Sequence, residues 1–317
     1  MKEMKKKRFG RRWNRDDTEL SLLALPGFIW YIAFCFLPMF GIILAFKQYR
    51  ITPDKSFLYS LFTSPTVGFK NFEFFVKSKM MYVLLRNTLL YNLLFIILGI
   101  VIPVALAIMI NELHSRRRSK VYQTMMFFPF FMSWVVVSYI MYAFLNADSG
   151  ILNQLFAGLN LPKVNWYATP KHWPLILTLT NMWKGMGYGM VVYLASITAI
   201  DKSYYEAAVV DGATKWQQIK CITLPLLKPI IIIMFILNVG RIFYTDFGLF
   251  YQVTREIPGS LVNTVSTIDT YVYQALRNGT SIGMISAVTV FQSVSCCITV
   301  LLANFIVRRI SPEDALI

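Results

Sequence analysis

The sequence predicts an all-α integral membrane protein of six transmembrane helices, with both termini on the cytoplasmic side. Three observations predict it. Hydrophobic residues make up 56% of the 317 positions and charged residues only 15%, too little polar surface for a soluble chain of this length. Two stretches, residues 20–46 and 278–307, carry no ionisable side chain. A helix needs about 20 such residues to cross the hydrocarbon. Finally, the lysines and arginines gather on alternate connecting segments.

The spans follow in order. Residues 20–46 form the first, and its length and the lack of a small-x-small site after it predict an uncleaved anchor rather than a secretory signal. Residues 87–111 and 121–147 form the second and third. Residues 173–200 and 229–251 form the fourth and fifth, interrupted by Lys184 and by Arg241 and Asp246. Residues 278–307 complete the set. The domain organisation expected is a basic cytoplasmic segment at 1–19, a transmembrane domain at 20–310 with a cytoplasmic loop at 201–228, and a cytoplasmic tail at 311–317.

With the N-terminus inside, segments 1–19, 112–120, 201–228 and 308–317 face the cytoplasm and hold 18 of the 31 basic residues. Lys5-Lys6-Lys7-Arg8 and Arg116-Arg117-Arg118 dominate that bias. The outward loop 47–86 carries seven basic residues against the trend, and its Asn71-Phe72-Glu73-Phe74-Phe75 and Met80-Met81-Tyr82 runs suggest a helix lying in the interface. The net charge of +15 sits at membrane ends, where anionic lipid is the partner and nucleic acid is not.

Chemistry-bearing patterns exclude several classes. Cys35, Cys221, Cys296 and Cys297 have no C-x-x-C spacing, and the isolated His114 and His172 leave no H-E-x-x-H metal site. No G-x-x-x-x-G-K-[ST] phosphate loop occurs. Gly185, Gly187 and Gly189 stand inside an apolar segment, where they serve close helix packing or a local break. No catalytic cluster and no metal site are expected, and no cofactor is expected in this chain.

The loop between spans four and five is the most informative segment. Glu206-Ala207-Ala208 favours a helix, Gly212 supplies a permissive turn, and Thr214 to Ile222 can be helical again before Pro225 and Pro229 stop it. Trp216, Ile219 and Lys220 fall on one side of the second helix, where a stripe can rest on another protein or on the membrane surface. An ordinary amphipathic connector fits the same composition.

The segment from Glu206 to Pro225 resembles the EAA motif of ABC importer permeases: E-A-A, two residues, D-G-A, then I-x-L-P. Every named position matches, Ala213, Leu224 and Pro225 included. The resemblance implies the type I importer transmembrane fold and a coupling helix docked in a cleft of a cytoplasmic ATPase, with Glu206, Ala207, Ala208, Asp211 and Gly212 sustaining the joint. Ile219 stands where the family often has an aromatic, and Trp216 supplies one three positions earlier. Further similarity runs along the chain through Leu25-Pro26-Gly27, Phe36 to Gly41, Arg86-Asn87-Thr88-Leu89, Phe128-Pro129, Ser133-Trp134-Val135-Val136, Trp183-Lys184, and Arg241 to Val253. These pieces resemble carbohydrate-uptake permeases of the maltose-permease type, within them the polysaccharide and lipoprotein-associated subgroup, whose members include the alginate importer.

Lys184, Arg241 and Asp246 must face protein or water, because an unpaired charge in the bilayer costs at least about 3 kcal/mol. Either Asp246 pairs with Arg241 or Lys184 to lock two helices, or these charges join Trp183, Tyr188, Asn238 and Tyr244 around a sugar, whose apolar faces and hydroxyls suit aromatic and amide groups. Counted from Glu206, Tyr188 falls where the maltose permease has a sugar-contacting tyrosine, and Asn238 near a sugar-contacting asparagine. Arg241 or Lys184 would also suit an acidic sugar.

The resemblance further implies the partners: a second homologous permease, two ATPase subunits that bind ATP and magnesium, an extracellular sugar-binding lipoprotein or periplasmic protein, and an oligosaccharide, all at the bacterial cell membrane. A secondary transporter would have no need of the EAA loop, and a membrane enzyme would need clustered catalytic groups.

Overall fold

The computed structural model describes residues 14–50, 52–73 and 77–310. Most of the basic segment 1–19, including Lys5 to Arg8, lies outside them, as do the tail 311–317 and Phe74 and Phe75 of the expected interfacial helix. The described residues are helical, with a single isolated antiparallel bridge between Lys47 and Thr66. They divide into two units, one of the described residues up to 71 together with 281–287, the other of the described residues 72–280 and 288–310.

In the first unit α1 runs Arg15–Phe46, with two proline interruptions absorbed rather than terminating it. A π-turn at Ile32–Phe36, in which the Leu37 N–H donates to Ile32, precedes Pro38 and opens the spiral ahead of a ring that cannot donate. Lys47 leaves this helix and donates its ammonium to the carbonyls of Leu61 at 2.7 Å and of Phe62 and Ser64 at 3.3 Å. These carbonyls end the short α2, Phe57–Thr63, so the cation sits where the helix dipole is negative. One of the seven basic residues that break the outward-loop trend is thereby spent on a helix end.

The second unit is built on α3, Lys79–Asn111, which packs most extensively against α7, Trp173–Thr198. Between them come α4, Arg116–Phe131, α5, Trp134–Leu145, and α6, Ile151–Gly158. After α7 follow α8, Lys202–Val210, and α9, Lys215–Val239, then α10, Ile268–Arg277; of α11, Ile282–Arg309, the part from Val288 onward belongs to this unit. The expected close packing is present at two of the three glycines: a Cβ on Gly187 would lie 2.0 Å from the Met126 carbonyl oxygen and one on Gly189 2.9 Å from Pro103, whereas Gly185 has nothing within 4 Å. Met81 is fully buried and Met80 packs beside it, so that run opens α3 and is not a helix lying on the surface.

Among the described residues, four helices are long and apolar enough to cross a membrane: α1, α3, α9 and α11; the α4–α5 pair makes a fifth if counted as one span. Three expectations need correction. Residues 121–147 are not one straight helix, because α4 and α5 meet at 100°. Pro129 withdraws an N–H within the turn Phe128–Phe131, and the Ser133 hydroxyl accepts the Val136 N–H, starting α5 afresh.

Pro225 and Pro229 do not stop the loop helix. The chain stays helical from Lys215 to Val239, and a π-turn at Ile219–Thr223, closed by Leu224 N–H to Ile219, again precedes the proline. Finally, the fifth span ends at Val239 rather than reaching residue 251. Asn92 Nδ2 donates to the carbonyls of Ile242 at 2.7 Å and Tyr244 at 2.9 Å, and Asp269 accepts the Thr245 N–H at 2.6 Å. Side chains thus take up backbone groups that a continuing helix would have paired.

Beyond that turn, Arg255, Glu256 and Ile257 all have positive φ, at 58°, 65° and 56°. Each left-handed non-glycine residue costs about 1–2 kcal/mol. The neighbours hold them there: Val253, Thr254 and Ile257 are buried, and the Glu256 N–H donates to the Tyr251 carbonyl at 2.9 Å.

Candidate functional site

Two regions of the second unit carry the residues singled out from sequence. The first is a cavity of about 650 Å³ between α3, α7 and the turn that follows α9. Tyr188, Asn238, Arg241, Tyr244 and Asp246 line it, joined by Asn92, Asn181, Met186 and Thr245. Trp183 and Lys184 do not. Trp183 packs on the apolar cluster of Leu249, Phe250 and their neighbours. Lys184 donates to the Phe130 carbonyl at 2.9 Å and lies over the rings of Trp134, 5.1 Å from its centroid, and Phe130. The break between α4 and α5 leaves that carbonyl available.

Neither expected pairing of Asp246 with Lys184 or Arg241 forms. The Trp134 Nε1–H donates to Asp246 Oδ2 at 2.6 Å, and the Gly248 N–H to Oδ1 at 2.9 Å. The indole therefore stands between a cation on its face and a carboxylate at its N–H. Gly248 makes room for it, since a Cβ there would come within 2.2 Å of the indole. Arg241 is exposed on the cavity wall and forms no ion pair among the described residues. Tyr188 stacks on Phe130 with ring centroids 4.9 Å apart. Tyr244 and Ser293 share a hydroxyl bond at 3.0 Å, and Asn238 anchors its amide on the Met234 carbonyl. The lining thus combines ring faces, amide groups and a cation around one space. Asn92 and Asn181 carried a sequence signal that was overlooked: an amide in an apolar span must find a partner or a wet cavity.

The second region is the hairpin α8–α9. Asp201 caps α8 by accepting the Ser203 N–H at 2.9 Å, and that bond holds its carboxyl below the usual carboxylate range. At the other end the Gly212 N–H donates to Val209 and the Ala213 N–H to Ala208, a Schellman closure with Gly212 left-handed at φ 75°. Thr214 then starts α9 with its hydroxyl on the Gln217 N–H, and Gln218 is buried against the Ala213 carbonyl. Glu206, Ala207, Asp211 and Gly212 are exposed, Ala208 and Ala213 half-buried, Leu224 and Pro225 exposed. The tip is apolar as well as open: Val210 is 87% and Trp216 71% exposed. Lys215 Nζ reaches Glu112 at 3.1 Å, tying the hairpin to the C-terminal end of α3. No group of three or more metal-ligating side chains gathers among the described residues.

Long apolar helices around a cavity of mixed polar and apolar lining are the architecture of a membrane transport subunit. Residues 99–312 match the family described as binding-protein-dependent transport system inner membrane component, and the chain belongs to it. It is 31% identical over 299 residues to protein LplB of Bacillus subtilis, covering 94% of this chain and 91% of that one. It is 32% identical over 294 residues to the polygalacturonan/rhamnogalacturonan transport system permease YteP of the same organism, covering 93% and 89%. Among solved structures, a permease chain of a bacterial ABC transporter involved in import of the acidic polysaccharide alginate superposes with TM-score 0.83 at 32% identity, over 93% of this chain and 97% of that one. A chain of an alginate ABC transporter in complex with an alginate pentasaccharide-bound periplasmic protein gives 0.84 at 32% identity, over 95% and 99%. The fold is that of a type I ABC importer permease, and the family is one of transport components rather than enzymes.

Proposed function

We propose that the chain is one permease subunit of an ATP-driven importer of oligo- or polysaccharides, forming half of the translocation pathway. The observation that carries the reading is the α8–α9 hairpin. A Schellman turn at Gly212 and the exposed Val210 and Trp216 give a hydrophilic loop an apolar tip, which is the form of a docking surface for another protein. Its sequence resembles the EAA motif, and one of the relatives named above is a polygalacturonan/rhamnogalacturonan transport permease.

In this reading α7 is the remaining span. Its 26 residues extend about 39 Å, enough to cross, and its Asn181 and Tyr188 face the cavity. Six spans with both termini inside then place the hairpin, Arg116–Arg118 and Arg308–Arg309 on the cytoplasmic side. The segment 1–19 and the tail 311–317 are cytoplasmic, and 20–310 is the transmembrane domain.

A second, homologous permease supplies the other half of the pathway. Two cytoplasmic ATPases bind ATP and magnesium and dock on the hairpins; an external sugar-binding protein delivers the ligand. ATP drives the ATPases together, the hairpins follow, and α9 carries the movement to Asn238 and the Arg241 turn. Lys215 and Glu112 link the same hairpin to α3, which presents Asn92 to the cavity. The cavity opens alternately to either side because ATP binds the two states unequally. Tyr188, Asn238, Arg241, Tyr244 and Asp246 line the sugar's path, and the guanidinium favours an acidic sugar.

The test is purification of the tagged chain from its native membrane in mild detergent. A second permease and a soluble ATPase should accompany it in fixed stoichiometry. A chain recovered alone, with oligosaccharide uptake intact in cells lacking any such ATPase, would overturn the reading.

A further inference from the structure

At the opposite end of α3 from the hairpin, two cavities of about 350 and 340 Å³ adjoin, sharing Tyr142 and Arg255 in their linings. Arg86 and Tyr91 of α3 bond the carbonyls of Asn263 and Thr264 at this end, whereas Glu112 marks the other. The first cavity adds Ser138, Tyr139, Gln252 and Glu256; the second adds Asn146, Asp148, Asn165 and Tyr167. Ring faces, amides and one guanidinium again surround open space.

The placement of Arg255 is the unusual feature. It opens the run of three left-handed non-glycine residues, a conformation that persists only where the surroundings impose it and that gathers at functional sites. Its guanidinium carbon lies 4.0 Å from the Tyr142 ring centroid. Stacking of this kind uses the flat face of the group and leaves its in-plane N–H donors directed outward, the arrangement that receives a carboxylate through two bonds. The adjacent Glu256 turns instead to Arg277, with Oε2 at 3.4 Å from Nη1. Arg255 itself forms no ion pair among the described residues, although Asp148 also lines the second cavity. The Tyr167 hydroxyl is buried there and finds no hydrogen-bond partner among the described residues. Burial pushes its pKa up to about 12, so it stays a neutral donor and acceptor.

We propose that these adjoining cavities form an outer subsite for an acidic oligosaccharide, separate from the central cavity. Arg255, seated on the Tyr142 ring, receives a uronate carboxylate, Tyr139 takes a pyranose face, and Asn146, Asn165 and Asp148 bond hydroxyls. The inference rests on the oligosaccharide-importer reading, and its sequence position gave no sign of it, since Arg255 stands in a stretch without pattern.

The experiment compares uptake of a uronate pentasaccharide and of a neutral hexose pentasaccharide by the whole transporter in its native membrane. Arg255→Gln should lower the ratio of uronate to neutral kcat/KM about tenfold, chiefly through the uronate KM, and Arg255→Lys should recover part of it. Arg255→Gly removes the guanidinium while relieving the left-handed strain, so it gives the same loss in a chain that folds at least as well. An unchanged ratio in the Gln and Gly variants at wild-type abundance overturns the subsite and leaves the importer reading standing. So does a wild-type transporter that imports the neutral sugar and no uronate. A wild type that imports neither sugar overturns the importer reading itself.

Discussion

Trp134 and Asp246 join the break in the α4–α5 pair to the wall of the central cavity through one bond, indole Nε1–H to carboxylate Oδ2 at 2.6 Å. The bond reaches across 112 positions of sequence, and Lys184 adds its charge on the indole face. Replacing the indole with a phenyl ring removes the donor from the carboxylate while leaving an aromatic face for the cation. Trp134→Phe should therefore destabilise the folded chain by about 1.5–3 kcal/mol, the usual worth of a hydrogen bond to a charged group. Thermal unfolding of the purified complex checks it, and a midpoint equal to that of wild type would contradict the role assigned to the bond.

Gly248→Ala tests the same joint from its other side. The new methyl would lie 2.2 Å from the Trp134 ring, so the indole must leave its place and the Asp246 bond must break. Uptake should fall at least tenfold in Gly248→Ala, while Gly259→Ala, where nothing lies within 4 Å, should leave uptake near wild type. Equal uptake in both would show that the contact is not needed.

Asn92 ends α9 by drawing off two carbonyls. Asn92→Leu keeps the branched shape and strands both acceptors, at roughly 1–3 kcal/mol for each left buried and unpaired. A lower unfolding midpoint, with faster amide exchange across residues 240–245, is the expected outcome. Exchange confined to wild-type rates would argue that the turn is held by Asp269 alone.

The cap of α8 sets a pH dependence. Asp201 titrates below the ordinary carboxylate range because its charged form accepts the Ser203 N–H. A depressed carboxyl contributes stability that is present above its unfolded pKa and is lost as pH falls through the folded value. Protection of the Ser203 amide should accordingly be constant near neutrality and decline only in acid beyond the normal carboxylate region. Asp201→Asn should show no such decline, since its amide oxygen accepts the same bond at every pH.

Much of this was legible in the sequence, and the remainder fails for identifiable reasons. The uncharged runs gave α1 and α11, and E-A-A with D-G-A gave the helix, the glycine turn and the second helix of the hairpin. The straight third and fifth spans were mistaken because their ends are decided elsewhere in the chain, by Ser133 and Pro129 at one and by Asn92 and Asp269 at the other. The π-turn that accommodates Pro225 has no signature in composition, so composition alone points to a stop there. Tyr188, Asn238, Arg241, Tyr244 and Asp246 do meet around one cavity. Lys184 was drawn away by a carbonyl that only the helix break exposes, and Arg255 owes its position to a backbone conformation its neighbours impose.

The α8–α9 hairpin is the proposed coupling joint, and oligosaccharide-stimulated ATP hydrolysis by the purified importer tests that role most directly. Glu206→Ala removes an exposed carboxylate, and Gly212→Val forces a β-branched residue into a left-handed turn that has open space around it, so the injury stays local. Both variants should reach the membrane at wild-type levels, lose most of their associated ATPase, and lose at least tenfold in stimulated hydrolysis. Wild-type ATPase association and stimulation in both variants would contradict it.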